Sequence, residues 1–389
     1  MIRPRFPGES FSTKVPALPQ LCALFFFFLI GGTVPQARAQ DLDKPVQNID
    51  EEVTAFGFSP DGHLVYSVRR NIKTKKYDLQ HDDIWIQDAN GKRRKILQGD
   101  KFSRGGELFS YAVDTFRWSP NGRSFLAQLF TTTVVDESNR AEDSSQALAF
   151  EDNGKELHFG SKGENVIKDC FNATWLQDNA TIVYFEEAIK PHMLFSFRYM
   201  NISTGPAGPA FEGRTFIDSD RIPRTNAAIA VEQDRTLSGP PRLQRLELLA
   251  QEDNEVATLD GYAGGLSVSP SGKKVAYFID KEVLEVRDVA APDHFVRLRV
   301  GLGVFHWSPD ENRILLKRAV ERKSGDLVWI TLPQLPAQKS GQEIPVLQPT
   351  PQPILHGISI REFNISPDGR FLAVILPGKR NLELFPLPS

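Results

Sequence analysis

Histidines are the side chains in this sequence that most readily suggest metal binding or acid–base catalysis. The seven histidines are His63, His81, His158, His192, His294, His306 and His356. No two of them stand two or four residues apart, a spacing typical of paired zinc ligands. His306 precedes Trp307 on a predicted innermost strand, where a structural histidine is a simpler interpretation than a catalytic one. The sequence therefore predicts no metal site.

Motifs for nucleotide binding and for nucleophilic catalysis are absent. The sequence has no Gly-x-Ser-x-Gly elbow of the serine hydrolases, no phosphate-binding GxxxxGK[ST] loop and no Asp-x-Asp-x-Asp-Gly calcium loop. The nearest paired carboxylates are Asp82-Asp83, Asp218/Asp220 and Glu51-Glu52. Each pair falls at a predicted strand end, so we expect solvated loop residues. No cofactor and no catalytic residue is predicted.

A short turn motif recurs between apolar stretches along the chain. It reads FGFSPDGHLVYSV from Phe56, FRWSPNGRSFLAQLF from Phe116, LSVSPSGKKVAYFI from Leu266, FHWSPDENRILLK from Phe305 and FNISPDGRFLAVIL from Phe363. Pro presets φ for the first central position, Asp or Asn accepts local hydrogen bonds, and Gly adopts the positive φ that closes the turn. Because apolar, strand-like runs flank the motif, it predicts a tight β-hairpin.

Two weaker copies, WLQDNATIVYF from Trp175 and IPRTNAAIAVE from Ile222, fill the gap in this series. The predicted hairpins then number seven and begin at Ser59, Ser119, Leu176, Pro223, Ser269, Ser308 and Ser366. Their spacing of about 40 to 60 residues is close to the length of a four-stranded propeller blade. We therefore predict an all-β fold, a seven-bladed β-propeller of four-stranded blades, as a single domain over residues 40–389.

The last repeat is one strand short, because the sequence stops after Asn381–Leu387. A spare strand, Lys44–Asp50, precedes the first hairpin. We expect this N-terminal strand to complete the last blade and close the ring, which removes the edges that an open stack of sheets would expose.

The hairpin motif also resembles that of a known family. An aromatic-Ser-Pro-Asp-Gly turn, an apolar strand and the stretch DIWIQDANG (Asp83–Gly91) are similar to the repeat of TolB-type, WD40-like (PD40) β-propellers. The resemblance covers essentially all of residues 40–389. It implies a periplasmic or otherwise extracytoplasmic propeller that binds proteins, with no catalytic residues of its own. The additional N-terminal α/β domain of TolB is not predicted here, so a role in a Tol-type complex is not implied.

The N-terminal residues predict export. Arg3, Arg5 and Lys14 precede the apolar run Leu21–Ile30, and Ala37-Arg38-Ala39 follows it, as in a secretory signal peptide over residues 1–39. We expect a periplasmic or secreted protein, bacterial by its repeat type, without stable membrane insertion after cleavage. Removing four basic residues and one acidic residue changes the net charge from −3 to −6. An acidic chain argues against nucleic acid as a partner.

Long loops and a polar column are the predicted binding surfaces. The long loops are Asn71–His81, Asp100–Asp114 and Thr131–Gln146, all on one face, whereas the Pro/Gln-rich stretch Pro333–Pro353 is interpreted as a flexible or polyproline excursion on the other. Polar residues two positions before the hairpins are expected at the mouth of the central channel. The candidate binding residues are Arg69, Arg70, Lys73, Lys75, Lys76, Arg104, Asp114, Arg117 and His306.

Two functions follow from these observations. The first is a non-catalytic scaffold that binds one or more protein partners. The alternative is a propeller hydrolase or lyase with an active site at the channel mouth, for which His306, Arg117 and Asp114 are the first candidates. Carboxylates and histidines that converge on one point would favour the enzyme, and scattered polar residues would favour the scaffold.

Overall fold

The described part of the chain consists almost entirely of β-strands and the turns between them. The computed structural model describes residues 42, 44–74, 78–101, 109–134, 141–161, 163, 165–189, 194–318, 327–339, 341–355, 360–378 and 380–387. These residues form 31 strands and one 3-10 turn, Gly99–Lys101, and no α-helix occurs among them. The predicted all-β class is confirmed.

The strands follow one another with short connections. The first half of the chain contains β1 (Gln47–Ile49), β2 (Val53–Phe58), β3 (Leu64–Val68), β4 (Asn71–Lys73), β5 (Asp78–Gln80), β6 (Asp83–Gln87), β7 (Arg93–Leu97), β8 (Phe109–Trp118), β9 (Ser124–Val134), β10 (Ala141–Glu151), β11 (Val166–Lys168), β12 (Phe171–Trp175), β13 (Thr181–Ile189), β14 (Leu194–Asn201) and β15 (Gly205–Ala210). The second half contains β16 (Phe216–Arg221), β17 (Ala227–Glu232), β18 (Arg242–Glu247), β19 (Glu252–Thr258), β20 (Gly264–Val268), β21 (Lys274–Phe278), β22 (Val283–Asp288), β23 (Phe295–Arg299), β24 (Gly303–Trp307), β25 (Arg313–Arg318), β26 (Leu327–Thr331), β27 (Val346–Leu347), β28 (Gln352–Leu355), β29 (Glu362–Ile365), β30 (Phe371–Ile375) and β31 (Leu382–Pro386).

Antiparallel pairing groups most of these strands into seven four-stranded units, and β27 adds a fifth, parallel strand to one of them. We name them sheet 1 (β2, β3, β6, β7), sheet 2 (β8 to β11), sheet 3 (β12 to β15), sheet 4 (β16 to β19), sheet 5 (β20 to β23, with β27), sheet 6 (β24, β25, β26, β28) and sheet 7 (β29 to β31, with β1). Sheets 3 and 4 are joined through the pair Phe195 and Phe216. The remaining strands, β4 and β5, form a separate hairpin.

Sheet 7 combines strands from both ends of the described chain. Its order is β1-β31-β30-β29, with Gln47 opposite Leu384 and Ile49 opposite Leu382. The N–H of Val46 donates to the carbonyl of Leu384 at 2.9 Å. The N-terminal strand therefore supplies the outer strand of the last sheet.

The core lies between the sheets. Seven clusters of buried apolar side chains occur in the described residues, and each joins two sheets that are consecutive in the chain, or joins sheet 7 to sheet 1. The cluster between sheets 7 and 1 contains Ile375 and Tyr66, both fully buried. First strands also lie side by side, since β8 contacts β2 and β12, and β20 contacts β16 and β24. Burial of large apolar side chains on both faces of each sheet is the main stabilising contribution.

The hairpin turns have the chemistry that their sequence predicts. In the first turn, the N–H of Gly62 donates to the carbonyl of Ser59 at 3.0 Å, and Gly62 has a φ of +87°. The hydroxyl of Ser59 accepts from the N–H of His63 at 2.7 Å and donates to the carboxylate of Asp61. Serine, aspartate and glycine thus each satisfy one requirement of the turn.

The three long loops are shorter than the sequence predicted. Asn71–His81 contains the hairpin of β4 and β5, and β8 already begins at Phe109. Within Thr131–Gln146, β9 and β10 continue their pairing as far as Val134 opposite Ala141. The run Thr131-Thr-Thr-Val-Val is β-branched, and such residues favour extended backbone. Residues 75–77, 102–108 and 135–140 lie outside the described part.

Part of the stretch Pro333–Pro353, which the sequence indicated to be a flexible or polyproline excursion, pairs with sheet 5, and its last two residues belong to β28 of sheet 6. A freely flexible excursion is therefore wrong for these paired residues. Strand β27 pairs in parallel with β23, with Val346 opposite Arg297. The side chain of Gln338 donates to the carbonyl of Phe295 at 2.8 Å, and the N–H of Phe295 donates to the carbonyl of Pro336 at 3.3 Å. Proline lacks an N–H but keeps its carbonyl acceptor, so a Pro-rich segment can still cover the outer edge of a sheet.

Candidate functional site

The first strand of each sheet ends in a hairpin whose first residue is identified by its hydrogen bond across the turn. In sheet 6 the N–H of Ser308 donates to the carbonyl of Arg313 at 2.9 Å. In sheet 4 the corresponding donor is Ile222, which bonds to Ala227 at 2.9 Å. The fourth hairpin therefore begins at Ile222 and not at Pro223. A shift of one residue exchanges the faces of a strand, so Asp220 occupies the position two residues before the turn.

We define the polar column as the residues at this position in the seven sheets. Its members are Gly57, Arg117, Thr174, Asp220, Ser267, His306 and Asn364. Except for Gly57, each is half-buried or exposed, whereas apolar neighbours such as Phe116, Phe305 and Phe363 are buried. This alternation is what the pleat of the first strands requires.

Three members of the polar column influence one another electrostatically. The guanidinium of Arg117 in sheet 2 acts on the carboxyl group of Asp220 in sheet 4 and on the imidazole of His306 in sheet 6. These residues are far apart in the sequence and belong to alternate sheets. These three side chains are close enough for their charges to influence one another, and we call the region around them the central space.

Two aspartates of β16 lie in this space. Asp220 accepts hydrogen bonds from the N–H groups of Val268 at 2.8 Å and Arg221 at 2.9 Å. Asp218 accepts from the hydroxyl of Tyr262 and from the N–H of Ser219 at 2.8 Å. Burial raises the pKa of both carboxyl groups, and the positive charge of Arg117 opposes that rise. The expectation that this pair is a solvated loop feature is wrong, since both residues are half-buried within a strand.

His306 is held as a neutral ring. Its imidazole packs edge-to-face against Phe363 with ring centroids 4.9 Å apart. Desolvation lowers the pKa of His306 to about 4, and the nearby charge of Arg117 acts in the same direction. Within the described residues, no hydrogen bond or ion pair joins His306 to a carboxylate.

A second pair of neighbouring carboxyl groups includes Glu362, at the start of β29. Desolvation raises the pKa of Glu362 to about 8, and the carboxylate of Asp114 on β8 contributes to the rise. Lys317 and Arg361 partly oppose it. Asp114 is exposed and lies in the same sheet as Arg117. The predicted site residues Asp114, Arg117 and His306 thus all face groups on other sheets.

Arg117 is an exposed residue near the end of β8. No hydrogen bond or salt bridge connects it to any residue that the structure describes. Beside it lies a cavity of about 20 Å³, which is also lined by Asn172, Asp220 and Arg221. The Nη1 atom of Arg221 is buried and has no hydrogen-bond partner. The cavity is large enough for one water molecule. Because Arg221 Nη1 has no partner, the region has a hydrogen-bond donor that a bound group could use.

The predicted basic loop residues have different surroundings. Arg70 donates to the carboxylate of Asp83 through Nε at 2.8 Å and Nη2 at 2.7 Å, and Arg69 forms a salt bridge with Glu52 at 2.9 Å. Lys73 is exposed at the end of β4. Lys75, Lys76 and Arg104 lie outside the described residues, and a binding role for all of these side chains stays a prediction.

The acid pair Asp82-Asp83, also expected in a solvated loop, is buried. The two residues are 0% and 4% exposed. Asp83 accepts from Lys95 at 2.6 Å and from the N–H of Gly99 at 2.8 Å, in addition to Arg70. Asp82 accepts from the hydroxyl of Thr54 at 2.7 Å. The sequence Asp82-Asp83 does not indicate burial, because the hydrogen-bond partners of the two aspartates come from elsewhere in the chain.

No group of three or more His, Cys, Asp or Glu side chains in the described part of the chain could hold a metal ion. The expectation that no cofactor is bound stays a prediction. Among the described residues, no helix has the length and apolar character needed to cross a bilayer.

Comparisons with known proteins concern the fold. No protein-family model matches the sequence, and no curated protein matches it either. The chain is similar in structure to a chain of the mitotic checkpoint complex, with a TM-score of 0.55, 11% sequence identity and coverage of 94% of this chain and 100% of that one. It is also similar to the β-propeller domain of Cps50 (Swd1) from Myceliophteria thermophila, with a TM-score of 0.51, 11% identity and coverage of 88% and 100%. The chain therefore has a β-propeller fold.

Proposed function

We propose that this protein is an exported, non-catalytic β-propeller of the TolB/PD40 type that binds a protein partner at the polar column. The observation that carries the proposal is the exposed side chain of Arg117, which lies near Asp220 and His306 of other sheets without a hydrogen bond to any described residue. Arginine is enriched among the residues that dominate protein interfaces.

A closed ring of seven blades is part of the proposal. Each of the seven hairpins starts a four-stranded unit, and the core clusters follow the cyclic order of these units. The pairing of β1 with β31 supports closure by the N-terminal strand. A ring leaves a central channel, and the polar column is then a set of positions repeated around one end of it.

Export is proposed from the sequence alone. The basic, apolar and Ala-x-Ala segments of residues 1–39 lie outside the described residues, and their pattern is that of a cleaved signal peptide. N-terminal sequencing of protein purified from its native source should begin at or near Gln40. A sequence that begins at Met1 would contradict export.

A protein partner fits the charges of the site better than a single small ion. The central space contains cations near carboxylates, with Arg117 near Asp220, and with Lys317 and Arg361 near Glu362. A surface with both signs can match a pattern of charges on a partner and reject unsuitable patterns. The net acidity of the chain makes nucleic acid an unsuitable partner.

The test is affinity capture from a native extract, with the full chain as bait and two arginine variants. Arg117→Glu should reduce recovery of the partner about tenfold or more, since a central arginine is replaced by a repelling charge. The control is Arg235→Glu, because Arg235 is also exposed but lies in the outer connection between β17 and β18. Equal recovery with both variants would contradict binding at the polar column. A product formed from the captured partner, lost in His306→Gln, would favour the hydrolase or lyase instead.

A further inference from the structure

The turns of consecutive hairpins touch one another around one face of the molecule. The N–H of Asn121 donates to Asn179 Oδ1 at 2.9 Å, and the N–H of Gln177 donates to Asn226 Oδ1 at 2.8 Å. The hydroxyl of Ser271 donates to the carboxylate of Glu311 at 2.9 Å. These contacts join sheets 2 and 3, sheets 3 and 4, and sheets 5 and 6.

Turn glycines form the other contacts of this series. A Cβ atom at Gly122 would lie 3.1 Å from Asp61 Oδ1, one at Gly272 would lie 2.5 Å from Ile222 Cγ2, and one at Gly369 would lie 2.9 Å from Pro309 Cγ. The glycine of one turn therefore packs on the turn of the preceding sheet. Six consecutive junctions, from sheets 1 and 2 to sheets 6 and 7, are closed in this way.

The junction between sheets 7 and 1 is open at the same level. A Cβ atom at Gly62, the equivalent glycine of the first turn, would meet nothing within 4 Å. A groove of about 340 Å³ lies there, between the turns of the first and seventh hairpins, strand β1 and the turn after β6. Its volume is in the range of about 300–1,000 Å³ that is usual for ligand pockets.

Apolar side chains of both sheets line the groove. Phe58 comes from sheet 1, and Val46, Phe371 and Leu384 come from sheet 7 or the residue preceding β1. Val46 is 61% exposed, more than any other large hydrophobic residue of the described chain. An exposed apolar surface inside a groove can bury an apolar side chain of a partner.

The rim of the groove is acidic. Asp61, Asp88 and Asp368 line it together with one cation, Arg370, so the side chains of the rim sum to a charge of −2. The side chains of Asp61 and Asp368 are 59% and 44% exposed. Arg370 is paired with Asp368. Asp61 and Asp88 therefore leave negative charge on either side of an apolar floor.

We propose that this groove binds a short peptide segment of a partner protein, with one large apolar side chain seated on Val46 and Phe58 and lysine or arginine residues on either side of it. The apolar floor accounts for the anchor, and the acidic rim accounts for the flanking charges. An acidic segment is excluded by the three aspartates. This surface is separate from the polar column, so either proposal can fail alone.

The test is fluorescence anisotropy with the full chain and labelled synthetic peptides at low salt. The peptide Lys-Arg-Phe-Lys-Arg should bind saturably, its glycine-centred analogue should bind about tenfold more weakly, and Glu-Asp-Phe-Asp-Glu should not bind. Equal binding of the phenylalanine and glycine peptides would overturn the apolar anchor, and absence of binding by all three would overturn the proposal.

Matched variants locate the bound peptide. Asp61→Asn combined with Asp368→Asn should weaken binding about fivefold or more by removing rim charge. The turn tolerates this change, because Asn121 accepts the same hydrogen bond from Ser119 at 2.7 Å in the second hairpin. Asp310→Asn is the control, since Asp310 accepts the corresponding bond from Ser308 at 2.5 Å but lies in sheet 6. An equal loss with the control would overturn the assignment to the groove.

Two further experiments with the full chain would show whether the groove holds a different occupant. Dimerisation in analytical ultracentrifugation that Val46→Gln abolishes would assign the groove to a second copy. Tighter binding of a peptide of residues 1–14 than of the pentapeptide would assign it to the N-terminal segment of this chain. Either result would overturn the proposal of a partner peptide.

Discussion

Asp83 of sheet 1 and Asp220 of sheet 4 are both aspartates close to arginine, but their hydrogen-bond partners differ. Asp83 accepts from Arg70, Lys95 and the N–H of Gly99. Among the described residues, Asp220 accepts from two backbone N–H groups and has no bond to the nearby Arg117. The charge of Asp83 is paired within the fold, whereas Arg117 has no hydrogen bond or salt bridge to a residue that the structure describes.

The pKa values of the two regions show the same difference. Burial raises the pKa of Asp83, but the hydrogen bonds from Arg70 and Lys95 outweigh it and hold the pKa at about 2. In the central space burial is the dominant effect, so the pKa values of Asp218 and Asp220 are raised and that of Glu362 reaches about 8. Residue type alone therefore does not show whether an aspartate near an arginine has a lowered or a raised pKa.

The largest expected loss of stability comes from a deletion that removes neither Asp83 nor Asp220. Deleting residues 44–50 removes β1, which exposes the edge of β31 and the apolar surface beneath the fully buried Ile49. The free energy of unfolding should fall by more than about 4 kcal/mol, as measured by urea denaturation. An unchanged midpoint would show that β1 is not part of the folded unit and would remove the support for ring closure.

Removing Asp83 should give the next largest effect. Asp83→Ala leaves Arg70 and Lys95 without their shared carboxylate, and loss of one partner of a buried ion pair costs about 3 kcal/mol or more. Urea denaturation measures the change, and partner capture should persist in conditions where the variant is folded. A change below about 1 kcal/mol would mean that the cluster around Asp83 is not structural, and the contrast with Asp220 would disappear.

A smaller, pH-dependent effect should arise in the central space. A carboxyl group with a folded pKa near 8 binds more protons in the folded chain than in the unfolded chain, where its pKa is about 4.3, so deprotonation costs stability as the pH rises towards 8. His306, with a pKa of about 4, no longer titrates above pH 7. Between pH 7 and pH 8 the wild-type chain should therefore lose about 1 kcal/mol relative to Glu362→Gln, measured by thermal or urea unfolding.

The opposite sign, or parallel curves for wild type and Glu362→Gln, would show that Glu362 is ionised at neutral pH. The central space would then be more solvated than the structure indicates. Asp83→Asn is a suitable control, because Asp83 does not titrate in this range.

Local patterns predicted much of the fold. Turn residues and apolar alternation identified the strands, the hairpins and a polar position that repeats two residues before each turn. These features depend on residues close in the sequence. The fourth hairpin was predicted to begin at Pro223 and begins at Ile222, and this shift of one residue left Asp220 out of the predicted polar positions.

Contacts between distant segments were not predictable in the same way. The buried state of Asp82-Asp83 depends on Thr54, Arg70 and Lys95, which lie on other strands. The covering of β23 by β27 depends on an edge that the sequence does not display. The open junction at Gly62 has the same turn motif as the closed ones, so only the packed structure reveals it.

Site-specific photo-crosslinking tests the central claim most directly, because it reports where a partner touches the protein. A benzophenone amino acid is placed at Ser267, a half-buried member of the polar column, and in a second variant at Lys73, which is exposed at the end of β4. Binding at the polar column predicts a crosslinked partner with Ser267 and none with Lys73. A crosslink from Lys73 alone would contradict it and would place the partner on the β4–β5 hairpin.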